Sequence, residues 1–197
     1  MAITPFTPPL DCSIVNLGTI AQNDCFPTQK LSEFTHMYIA RKDAIDFADG
    51  SDASEWADRL SQTTTPPMGS SVAAKDLIRK IAIIGEMPAP QENEKDISGG
   101  RKHSPHKDFT VNFEIDDVDA EEYEFFRNCQ YGIQYVKAWL KTRGGELLGG
   151  DKGINDGSQV RMKAWPIFGK GPDEIVKIVG TLTWKGQVAP DRCVSPI

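Results

Sequence analysis

Six carboxylates, Asp116, Asp117, Asp119, Glu121, Glu122 and Glu124, crowd the stretch EIDDVDAEEYEFF. Hard cations collect carboxylate oxygens, so calcium binding is the first chemistry to test, but an EF-hand loop needs a Gly at its sixth position and this run has none. Carboxylates in the opening turns of a helix sit near the positive end of its dipole, where each is worth a few tenths of a kcal/mol. The run therefore reads as the start of an acidic helix, with Phe125, Phe126 and Cys129 on its buried side and Tyr123 beside them. His103 and His106 form an HxxH pair in GRKHSPHK, yet two imidazoles alone do not make a zinc site. RGGELLGGDKG has the glycines of a phosphate loop without the Lys and hydroxyl that hold phosphate and magnesium, and reads as a flexible turn. No GxSxG, HExxH or Cys/His nucleophile pattern occurs. The expectation is a chain that is not an enzyme and carries neither cofactor nor metal.

The elements that position these residues follow from hydrophobic period. THMYIA (35–40) has the length and β-branching of a short strand. In DASEWADRLSQ, Ala53, Trp56, Ala57 and Leu60 recur at helical spacing, and Asp52 with Glu55 stands at capping-box spacing. Paired prolines and Gly69 in TTTPPMGSS end that helix. DLIRKIAIIGEM is ambiguous, but Ile78, Ile81, Ile83 and Ile84 favour a strand. Residues 88–106 form a polar connection too long for a tight hairpin turn. Phe109, Val111, Phe113 and Ile115 alternate with polar residues, predicting a strand over 107–115 and then a helix over 120–130, capped by Asp117 or Asp119 and ended by Gly132. IQYVKAWLK, QVRMKAWPIF and IVKIVGTLTW complete the strands, with GKGPDE as a hairpin between the last two. Pro166 places its strand at an edge or at its end. Trp56, Trp139, Trp165 and Trp184 each fall in a periodic apolar segment and read as core.

Totals narrow the class. With 39% hydrophobic and 25% charged residues the composition is that of an ordinary globule, and Gly 17 and Pro 13 point to many turns. A formal charge of -6 gives no general attraction for phosphate backbones, so ordinary DNA binding is disfavoured. No run approaches the roughly 20 apolar residues of a membrane span, and MAITPFTPPLDC has no signal-peptide pattern, so synthesis in a cytoplasm is expected. Cys12, Cys25, Cys129 and Cys193 show no CxxC spacing and read as reduced, with a Cys12–Cys25 bridge left open. Pro5, Pro8 and Pro9 make residues 1–11 an extended arm.

The expected fold class is α+β, mostly β: an antiparallel β-sandwich or barrel with a flanking helix, an N-terminal arm and long loops. Two regions are drawn, 1–76 as arm and extension with the short helix, and 77–197 as the β core and C-terminal arm, together one structural unit. The order of strand, long polar loop, strand, acidic helix, strand, Gly-rich loop and closing hairpin over about residues 77–186 resembles the tail tube (major tail) proteins of long-tailed bacteriophages and contractile injection systems. The resemblance implies subunits joined into a hexameric ring, rings stacked into a conduit through which DNA passes without specific binding, a place in the virion, other tail proteins as further partners, and no membrane. It assigns residues 88–106 to ring stacking and residues 1–11 or 187–197 to reaching arms. Candidate interface residues are Glu92, Glu94, Asp96, Arg101, Lys102, His103, His106, Lys107, Lys137 and Lys177.

A conduit should not bind DNA, so Lys137, Lys141, Arg161, Lys163, Lys177 and Lys185 are expected to point outward or to meet a neighbour's acidic helix. A capsid decoration or receptor- or carbohydrate-binding sandwich is the competing reading. A small enzyme, which would need a cleft with converging carboxylates or histidines, is the third.

Overall fold

The structure is a computed structural model, and it describes residues 31–98, 100–104, 106–116, 120–130, 135–150, 153–170, 175–186 and 188–197. The expected arm 1–11, Cys12 and Cys25, the caps Asp117 and Asp119, and Gly132 lie outside the described residues. In chain order the elements are β1 (Phe34–Arg41), α1 (Ala53–Arg59), a 3-10 turn (Ala74–Asp76), β2 (Arg79–Glu86), β3 (Gln91–Glu92), β4 (Lys95–Ile97), β5 (Arg101–His103), β6 (Lys107–Ile115), α2 (Ala120–Asn128), β7 (Tyr135–Thr142), β8 (Glu146–Leu148), β9 (Ser158–Ile167), β10 (Lys177–Gly186) and β11 (Arg192–Val194).

All named strand pairs are antiparallel, and they form two three-stranded meanders, β1-β2-β6 and β7-β9-β10. The meanders join third strand to third strand, with Phe113 opposite Gly180, and first strand to first strand, with Met37 opposite Leu140. Because β1 pairs with both β2 and β7, the hydrogen-bonded path through six strands returns to its start. Closure of this kind leaves each of the six strands paired on both sides over at least part of its length. β8 and β11 extend the sheet beyond β7, and β3 shares an edge of β6 with β2.

Inside the ring each strand contributes alternate side chains: Met37 and Ile39, Ile81 and Ile83, Phe109 to Ile115, Val136 to Leu140, Val160 to Ala164, and Ile178, Leu182 and Trp184. Phe126 and Cys129 of α2 enter the same core, and burial pushes the Cys129 thiol up to about 11. A second core covers the outer face of β1 and β7. There Tyr38, Trp56 and Trp139 pack with Phe47, Ile78 and Leu147, and the Trp56 and Trp139 rings meet edge to face at 5.4 Å. This is why β1 and β7 are buried on both faces whereas β2, β6, β9 and β10 alternate.

Several expectations change. The sheet does not divide at residue 76, because β1 closes the ring and residues 31–197 form one compact unit. In α1 the expected stripe of Ala53 and Ala57 is exposed, while Trp56 and Arg59 turn inward. A methyl group buries little area, so the indole sets the rotation of the helix. Asp52 caps α1 by accepting from the Ser54 N–H, but Glu55 reaches back to the Ala48 and Asp49 N–H groups, not to Asp52. The 88–106 connection holds β3 and a β4–β5 hairpin that makes its own two-stranded sheet. Pro166 ends an inner strand: β9 pairs with β7 only over Ser158–Arg161, so beyond that point one side of β9 needs no donor.

Gly180 is the tightest contact between the meanders. A Cβ there would lie 2.4 Å from Phe113 Cζ and 2.6 Å from the Lys163 carbonyl oxygen. Gly180→Ala is expected to cost about 2 kcal/mol through overpacking, read as a lower urea midpoint at unchanged slope.

Candidate interaction surfaces

Period-two reading sends Lys137 outward with its neighbours, and so it does, but the outer face of β7 is covered. Lys137 is 4% exposed. Its ammonium donates to the Ala44 carbonyl at 2.9 Å, is hydrogen-bonded to Asp46, and lies 3.1 Å from Asp156 Oδ1. Burial alone would lower its pKa, yet the two carboxylates outweigh that and hold it above the ordinary lysine value. Lys137 is thus an internal clamp, a correction to its place among the candidate interface residues. Lys141 likewise turns to its own chain and donates to the Ile197 carbonyl.

The segment that covers β7 was not read as an element. Arg59 donates to the Ile45 and Asp46 carbonyls and to Glu55, with its guanidinium 4.4 Å over the Phe47 ring. Asp76, also buried, accepts from the Ile45 N–H, and Asn155 accepts from the Gly50 N–H. A buried irregular backbone needs partners for its polar groups, and these side chains supply them. The only sequence signal is an apolar Phe47 inside RKDAIDFADG.

By contrast the outer faces of β2, β6, β10 and β9 carry no second layer among the described residues. The register aligns Ile84, Glu114, Val179 and Trp165 as one row across the four strands, and Glu86, Asn112, Thr181 and Lys163 as the next. Trp165 is 44% exposed, which corrects the expectation of core packing, and beyond it Ile167, Phe168 (63%), Ile175 (54%) and Val176 stand open at the β9–β10 end. Lys177 pairs with Glu114 at 2.5 Å on this face, and that carboxylate holds its pKa above the ordinary value. Arg161 and Lys185 are on the same face and exposed, as expected.

The remaining candidates cluster around the β3–β6 edge and the separate hairpin. Glu92 lies opposite Lys107 and pairs with it at 2.8 Å. Glu94 and Asp96 are exposed, and Asp96 stands opposite Lys102 in the β4–β5 register. Arg101 and His103 are placed on β5 by backbone alone. His106 Nε2 is 3.8 Å from Asp108 Oδ1, and Asn93 donates to the other Asp108 oxygen at 2.6 Å. Among the described residues no group of three His, Cys, Asp or Glu side chains could hold a metal ion.

A groove of about 820 Å³ opens where β1 and the start of β7 meet α2 and the 3-10 turn. Arg41, Lys42, Lys75 and Arg79 line it together with Phe125 and Tyr135. Phe125, expected on the buried side of α2, is instead 37% exposed there, with its ring edge to face on Phe126 at 5.1 Å.

Lys137→Met removes the cation that Asp46 and Asp156 share. Because Asp46 is more than half exposed, the loss falls at the low end for a broken buried pair, about 3 kcal/mol at neutral pH. An ammonium whose folded pKa is raised contributes fully below 10.5 and loses that contribution as pH rises through the folded value. Urea unfolding of wild type and variant should therefore show a gap that narrows above pH 10.5. No protein-family model matches the chain, and no curated protein and no solved structure matches it either.

Proposed function

We propose that this chain is a structural subunit of a phage virion, a tail tube protein that joins copies of itself into stacked hexameric rings around a DNA conduit. The observation that carries the reading is the uncovered β2-β6-β10-β9 face, where a register-aligned row runs into five large exposed apolar side chains at the β9–β10 end. Contiguous exposed apolar surface of this kind marks an association site. Closure pairs every strand of the ring on both sides over at least part of its length, so copies would meet through this face and through the β4–β5 hairpin, which forms its own two-stranded sheet.

Lys163, Lys177 and Lys185 share the uncovered face. In an assembled tube that face would be turned away from the lumen, against a neighbour. The acidic total of -6 suits a channel that must release phosphate backbones.

Negative-stain micrographs of the purified full chain at high concentration are expected to show rings or tubes. Trp165→Lys combined with Phe168→Asp should abolish them while leaving the thermal midpoint within about 2 °C, since both side chains are exposed. A wild type that stays a single particle of fixed size at every concentration would overturn the tube reading in favour of a decoration or receptor-binding module.

A further inference from the structure

We infer that the groove between β1, the 3-10 turn and α2 binds single-stranded nucleic acid, taking phosphates on its cations and bases on its aromatic rings. Among the described residues four cations and one carboxylate line it, a local charge of +3 in a chain whose net charge is -6. That carboxylate, Asp43, is already taken: Arg41 donates to it at 3.0 and 3.2 Å, and this holds its pKa below the ordinary aspartate range. Lys42 and Lys75 are exposed. Arg79 is half-buried, and one of its guanidinium nitrogens is committed to the Ser61 carbonyl, which fixes the plane of the group at the groove wall.

The rings decide the ligand class. Tyr135 is 56% exposed at the start of β7, and Phe125 presents its ring from α2. Cations that take the phosphates beside exposed aromatic rings on which bases stack are the features that bind a single strand without sequence preference. An acidic peptide would use the cations but gain little from two exposed rings. A volume of about 820 Å³ lies within the range of ligand-binding clefts. The distribution of charge, and not its total, governs such a site, so the acidic sum does not oppose it.

The test is fluorescence anisotropy of a labelled oligothymidine of about 12 nucleotides with the full-length chain, between about 50 mM and 200 mM salt. Saturable binding that weakens with salt is expected. Lys42→Ala with Lys75→Ala should reduce the salt slope by about 1.4, two phosphate contacts on a single strand. Tyr135→Ala should weaken binding at least about fivefold at every salt concentration. All three positions are exposed, and unchanged circular dichroism and thermal midpoints confirm that the fold is intact. Absence of saturable binding at the lowest salt overturns the inference. So does binding that is indifferent to these substitutions, or that polyglutamate displaces as well as unlabelled oligothymidine. Ring or tube formation by the same variants is scored separately, so loss of oligonucleotide binding and loss of assembly are distinguishable.

Discussion

β1 is hydrogen-bonded on both of its edges, and most of the molecule follows from that. Pairing with β2 on one side and β7 on the other closes two meanders into a ring, and the ring then encloses a core to which all six strands contribute. Closure also brings Tyr38 and Trp139 side by side on the outer face, two large side chains that water would otherwise meet. The chain covers them with α1 and with an irregular segment before it. Such a segment is stable under cover only if its backbone groups find partners, and Arg59, Asp76, Lys137 and Asn155 provide them. The second core is therefore held as much by charged side chains that serve a loop as by apolar contact.

Two differently finished surfaces result. One side of the ring has a second, largely aromatic layer; among the described residues the other shows a single layer of side chains, with threonines, lysines and a row that mixes Ile84, Val179 and Trp165 with Glu114. Strands of identical period thus end up in different environments. What distinguishes them is that β1 and β7 carry Tyr38 and Trp139 on the outer face and that the chain after β1 covers them.

Much of this was legible from the letters where the physics is local. Alternation at Phe109, Val111, Phe113 and Ile115 set β6 at Lys107–Ile115, and the β-branched cluster placed β2 in the strand class. Lys137 defeated the same rule, because period two says which face a residue occupies and not whether something covers that face. Trp165 failed in the opposite sense: an indole in an apolar run was read as core, yet it sits one position from the inward Ala164 and so faces out. The β1–β7 pairing joins residues about a hundred positions apart, and no local pattern encodes it. Of the candidate interface residues the balance of charges was legible but not the Glu92–Lys107 pair, which the β3–β6 register makes, and the basic groove draws Arg41, Lys75 and Tyr135 from three separate segments.

The Gly144 N–H donates to the Leu31 carbonyl at 3.0 Å, and the Ile197 carbonyl accepts from Lys141 three positions earlier on the same strand turn. Both ends of the compact unit are consequently moored at one corner, beside the β7–β8 turn. Melting of that one turn would release both together.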